Sequence, residues 1–172
     1  IIKTFEINKL DINRYNFYLF YGENEGLKNE IILSKFKKDY QKETHNYNEK
    51  EVLENKDNFI NSVLSKSLFE DKKLIIISRV SDKIKEIIEI IIEKKIKDVK
   101  IILLSSILEK KSKLRIFFEK NKDSICTPCY ADTSQTLRFI SNNFFKEKKI
   151  SVSQQTINLL IDRCRGDRQN LK

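Results

Sequence analysis

Apolar residues along this chain fall into short unbroken runs and longer stretches where they recur every three or four positions. The runs at 16–21, 74–77 and 99–104, rich in aromatic and β-branched residues, predict strands buried on both faces. Shorter candidates lie at 45–48 and at 124–126, the latter stopped by Pro128. Residues 4–7 read as an edge strand or a lead-in. Between the runs, helical spacing predicts helices at 24–41, 57–66, 81–97 and 111–121. Their inward stripes are Phe59, Ile60, Val63 and Leu64, then Ile84, Ile87, Ile88 and Ile91, then Leu114, Phe117 and Phe118. Strand and helix thus alternate about five times, which predicts an α/β fold with parallel pairing.

Beyond residue 130 the strand-like runs cease. A helix is predicted over 133–147, with Leu137, Ile140 and Phe144 at helical spacing. A second opens on Ser151-Val-Ser-Gln154, a capping-box pattern, and carries the stripe Ile157, Leu160, Ile161 and Cys164 before Gly166. Residues 167–172 read as the start of a third helix. The expected division is an α/β domain over 1–130 and part of a helical domain over 131–172, a piece of something longer.

Composition narrows this picture. At 172 residues and 40% hydrophobic content, the chain can bury a layered core and is not globally disordered. Three Gly and one Pro favour helices joined by tight turns. The net charge of +9 invites a nucleic-acid reading, but Lys is spread along the chain and Arg is scarce, which describes solvated helix faces. Ile, Lys and Asn dominate together, as in AT-rich coding sequences, so basicity is a weak clue. Three Cys and no apolar leader point to a reducing cytoplasm, and no apolar run is long enough to span a bilayer.

The most suggestive stretch follows the first strand: Tyr21-Gly22-Glu-Asn24-Glu25-Gly26-Leu27-Lys28-Asn29. Strand, glycine turn and helix start are the frame of a phosphate loop, G-x-x-x-x-G-K-[ST]. The copy is defective. Only three residues separate Gly22 from Gly26, Leu27 follows the second glycine where Lys should stand, and Asn29 follows Lys28 in place of Ser or Thr. The strand at 74–77 runs into Ser78-Arg79-Val80 and offers no carboxylate for Mg²⁺. With Lys, hydroxyl and acid all out of place, little is left to stabilise a transferring phosphoryl group. An active P-loop ATPase and a DNA-binding module remain as rival readings.

Other candidates carry less. Cys126-Thr-Pro-Cys129 has C-x-x-C spacing but follows a strand, and with Cys164 and His45 it makes no second paired zinc motif. Both cysteines read as interior or turn residues, His45 as a surface residue. No catalytic or metal-binding residue is singled out. Leu68-Phe69, between a helix and a charged turn, reads in two ways. The pair completes the helix face and covers the core edge, or it stands out as an apolar anchor for a partner, the kind of hot spot worth roughly 2 kcal/mol or more.

Four segments taken in order resemble the delta subunit of bacterial DNA polymerase III, part of the sliding-clamp loader. They are Tyr18-Leu-Phe-Tyr-Gly22-Glu23 with Leu27; Ser67-Leu68-Phe69 with Lys73-Leu-Ile-Ile-Ile-Ser-Arg79-Val; Ile102-Leu-Leu-Ser-Ser106 with Lys111-Ser-Lys113-Leu114; and Arg163-Cys-Arg-Gly-Asp167-Arg168 with Leu171. The resemblance implies a three-layer AAA+-like domain with a mostly parallel five-stranded sheet, a non-functional phosphate loop at Gly22, Gly26 and Lys28, and a helical lid. It implies no cofactor and no catalysis by this chain, which would be a non-catalytic subunit of the polymerase holoenzyme. It makes Leu68 and Phe69 the contact to the sliding clamp (beta subunit), whose ring such subunits open. It also implies gamma/tau and delta prime partners through a collar domain outside this sequence, with DNA in the assembled complex.

Overall fold

The computed structural model describes residues 11–37, 40, 44–65, 72–96 and 98–171. Among the described residues five strands form one sheet in the order β2-β3-β4-β1-β5, every neighbouring pair parallel. They are β1 (Phe17–Tyr21), β2 (Thr44–Asn48), β3 (Lys73–Ser78), β4 (Val99–Ser105) and β5 (Ser124–Pro128). Phe17 of β1 lies in register with Ile101 of β4 and Ser124 of β5.

The period-2 alternation of a strand sends neighbouring side chains to opposite faces, and this divides the apolar runs between two cores. Phe17, Leu19 and Tyr21 join Ile75, Ile77, Ile101 and Leu103 on one face. There they meet α2 (Glu49–Glu54), α3 (Lys56–Leu64), α4 (Lys85–Glu93) and α5 (Lys113–Lys120) through Val52, Phe59, Val63, Ile87, Ile88, Leu114 and Phe118. Tyr18 and Phe20 join Leu74, Ile76, Ile102 and Ile125 on the other face, under Ile31 of α1 (Glu25–Ile31) and under Ile32 and Phe36. Helix, sheet and helix make the three layers expected of continuous apolar strands. The fold is α/β with an all-parallel sheet.

Local departures from expectation have local causes. Of the helix predicted over 24–41, the described residues form α1 and then a π-type turn at Ile32–Phe36, closed by Lys37 N–H to Ile32 O at 3.0 Å. Ile32, Phe36 and Tyr40 recur every four residues, slower than the α period, and the wider turn suits burying all three. Helix α2 was not expected, because Val52 is its only buried residue. Its signal was Asn48-x-x-Glu51, in which the Asn48 N–H donates to Glu51 Oε2 at 2.8 Å. The last strand runs on to Pro128 instead of ending at 126, since β5 is an edge strand and Pro128 needs no ladder N–H on its outer side. The stretch 81–97 begins as a 3-10 turn (Asp82–Ile84), and its helix α4 ends at Glu93, with Lys95 at φ 49°. Residues 4–7 lie outside the described residues.

After β5, α6 (Ser134–Glu147) and α7 (Gln154–Cys164) pack around a third cluster of Leu137, Ile157, Ile161 and Cys164, flanked by Phe145, Val152 and Leu171. Thr133 caps α6. The cap of α7 is Ser153, not Ser151: its Oγ accepts the Thr156 N–H at 3.2 Å. A 3-10 turn at Arg168–Leu171 follows in place of a third α-helix. Among the described residues no helix is long and apolar enough to cross a membrane.

Candidate functional site

The connection after β1 leads to α1 on one face of the sheet, whereas that after the adjacent β4 leads to α5 on the other. The crevice between such strand ends is where open α/β sheets place ligands, and the sequence puts Gly22 there. Gly22 has φ +127°, and a Cβ on it would lie 2.2 Å from the Cys129 carbonyl oxygen, so the turn accepts only glycine.

The loop that follows is stitched to its surroundings. Gly22 N–H donates to Ser106 O (2.9 Å), Asn24 N–H to Cys129 O (3.1 Å), and Glu25 N–H to Glu23 O (3.0 Å). Asn24 caps α1: its Oδ1 accepts the Leu27 N–H at 2.9 Å, and its backbone carbonyl accepts the Lys28 N–H at 3.2 Å. Five amides that a phosphate loop would turn toward its anion are therefore engaged within the protein.

Lys28 is wholly buried, its Nζ 2.6 Å from Glu25 Oε1 and 2.7 Å from Ser105 O. Counted from Gly22, it occupies the seventh place, where the motif has its Lys. The cation is thus nearer its motif position than the count from Gly26 indicates, but its charge is matched by a carboxylate and a carbonyl. Gly26 is covered too. A Cβ there would meet Arg168 Cγ at 2.6 Å and Gln169 Cγ at 3.0 Å. Sequence reasoning gave Arg168 no local role and missed its partner Asp132, since the two lie far apart in sequence.

Around the crevice the acidic groups also serve the fold. Glu49 accepts from the Ser81 N–H (2.7 Å). Asp82 accepts from the Ser112 hydroxyl (2.6 Å) and from the Lys113 and Leu114 amides (3.1 and 3.0 Å), capping α5. Burial raises the Asp82 pKa, but these donors outweigh it and hold the carboxyl below its ordinary range. Arg79, beyond β3 where a metal-binding acid would be sought, is an exposed side chain on a backbone at φ 58°. A cavity of about 370 Å³ opens beside Gly22, lined by Tyr21, Leu108, Arg115 and Tyr130. Arg115 stacks over the Tyr21 ring at 4.9 Å and is held by Glu119 (2.7 Å) and Leu108 O (3.1 Å).

Cys126 and Cys129 belong to the cores on opposite faces of the sheet. Burial pushes each thiol pKa up to about 12, so both are protonated interior residues. His45 is exposed on the edge strand β2. Among the described residues no cluster of His, Cys, Asp or Glu could hold a metal ion. Leu68 and Phe69 lie outside the described residues, between the end of α3 at Leu64 and the start of β3 at Lys73.

No family model matches the chain, and no curated protein matches its sequence. Solved structures do match. The Bacillus subtilis DNA clamp loader delta protein superposes with a TM-score of 0.68 at 14% identity, over 98% of this chain and 54% of that one. Domain III of the Thermotoga maritima replication initiation protein DnaA matches with a TM-score of 0.50 at 13% identity, over 98% and 76% of the two chains. A DNA replication initiation factor matches with a TM-score of 0.52 at 18% identity, over 96% and 55%. At such identities the likeness is one of fold, and the chain spans about half the length of the clamp loader delta protein. The chain shares its fold with these solved structures.

Proposed function

We propose that this chain is the AAA+-like clamp-binding part of a clamp-loader delta subunit, with residues 1–130 as the α/β domain and 131–172 as part of a helical lid. In this reading Leu68 and Phe69 enter an apolar pocket on the sliding clamp, each contributing about 1.5–3 kcal/mol by burial. Binding favours the open ring by the difference in affinity between its open and closed forms. Hydrolysis of ATP is left to sister subunits, and the work is done in the cytoplasm, with other loader subunits and DNA met in the assembled complex.

The observation that carries this reading is the self-engaged loop. A sheet of the AAA+-like order has its loop amides bonded to protein carbonyls and its Lys28 matched by Glu25, which supports a scaffold over an ATPase. The test is capture of purified sliding clamp by the full chain. Replacing Leu68 and Phe69 with Ala is expected to weaken capture at least about a hundredfold while the far-UV circular dichroism stays unchanged. Equal capture by the variant overturns the reading. Tight, steeply salt-dependent duplex binding by the chain alone would favour a DNA-binding module instead.

A further inference from the structure

Arg168 sits two residues beyond Gly166, the second of the two residues that reverse the chain at the end of α7. Arg165 has φ 50° and Gly166 φ 81°, so the backbone leaves the helix through two left-handed positions and turns back. Asp167 then fixes the next turn: its N–H donates to Cys164 O (2.9 Å), its Oδ1 accepts the Gln169 N–H (2.8 Å), and its carbonyl accepts the Asn170 N–H (3.1 Å). Leu171, three residues on, packs into the α6–α7 cluster. The turn carrying Arg168 is thereby part of the helical pair.

From that turn the guanidinium reaches the α/β layers. Its Nε and Nη2 donate to the two oxygens of Asp132 at 2.7 and 2.5 Å, a bidentate pair, and Nη1 donates to Glu30 of α1 at 3.3 Å. Asp132 lies in the connector between β5 and α6. It is also held by Asn24, whose Nδ2 donates to Asp132 Oδ2 (2.8 Å) and to Tyr130 O (3.0 Å). The Arg168 and Asp132 side chains are only 10% and 4% exposed. Gly26 makes the approach possible, because any side chain at that position would displace the Arg168 stem.

We infer that Arg168, Asp132 and Asn24, seated over Gly26, form an internal latch that fixes the α6–α7 pair on the α/β layers without any ligand. The Arg168 and Gln169 side chains cover Gly26 directly, so the helical pair has one seating, which nucleotide does not set. This inference stands apart from clamp binding: it concerns the joint between helical pair and sheet, and failure to capture a clamp leaves it untouched.

The test is a spin-label distance measured on the full chain with Lys120→Cys on α5 and Leu159→Cys on α7, both exposed positions; the three native thiols are buried. A single narrow distance is expected, the same with and without millimolar Mg-ATP, and Asp132→Ala or Arg168→Ala should broaden it or add a second distance. In a double-mutant cycle the two changes should be non-additive. A broad distribution in the parent chain, a distance that moves with Mg-ATP, or variants as narrow as the parent would overturn the latch. Hydrogen exchange on the unsubstituted chain decides the matter if the variants do not fold. Amides of α6 and α7 are expected to open together with those of α1, and independent opening of the helical pair at roughly tenfold or more lower protection refutes the inference.

Discussion

At the residue scale, two positions near the crevice respond oppositely to scrutiny of the sequence. Gly22 was legible as a turn glycine because an apolar strand ends on it, and the structure adds the reason, the Cys129 carbonyl 2.2 Å from where a Cβ would be. Gly22→Ala is expected to cost about 3 kcal/mol or more, as positive-φ strain and a backbone clash act together, measured by urea unfolding. Asp132 was not legible: its partners Arg168 and Asn24 lie 36 and 108 residues away. Burial raises its pKa, but bonds from Arg168 first and then Asn24 hold the carboxyl below the ordinary range. A lowered folded-state pKa adds stability that is fully present above the unfolded value of about 3.9 and fades as pH falls through the folded value. Asp132→Asn is therefore expected to be less stable than the parent at neutral pH. The gap should hold down to roughly pH 5 and narrow below about pH 4, as urea midpoints across that range would show. A gap that widens in acid would contradict the assignment.

At the element scale, legibility tracked how many apolar residues an element spends on the core. Strands β1, β3 and β4 and helix α4 each bury most of an apolar run or stripe, and the sequence pattern marked them all. Helix α2 commits only Val52, and it was passed over in the sequence although its cap was there to be seen. Caps themselves are ambiguous where hydroxyls crowd: Ser151-Val-Ser153 offers two, and the structure selects the one whose Oγ meets the Thr156 amide. Ser153→Ala is expected to lower stability by about 1 kcal/mol and Ser151→Ala by almost nothing, by thermal or urea unfolding. The reverse order would restore the earlier cap. Helix length was misjudged after Ile31 because the pattern 32, 36, 40 reads as α-helical, yet a π-type turn also serves it.

At the scale of the whole molecule, the α/β order was readable because strands and helices alternate, while the neighbour order β2-β3-β4-β1-β5 needed the structure. The defective loop was readable as a motif with misplaced parts. That its amides are already bonded was not, because two of the acceptors, the Ser106 and Cys129 carbonyls, lie just beyond the ends of β4 and β5. The expected outcome for the intact chain is a melting temperature that moves by less than about 1 °C at millimolar Mg-ATP, since a ligand stabilises only what it binds. A clear rise would return the ATPase reading.

Pro128 closes one flank of the sheet and polar Thr-His-Asn-Tyr-Asn forms the other. A neighbouring chain seeking to zip itself alongside would find a missing donor on one border and solvated, apolar-poor residues on the opposite border. Recognition of this protein by strand addition is thereby disfavoured at both borders, and a partner must engage surfaces presented by helices and loops.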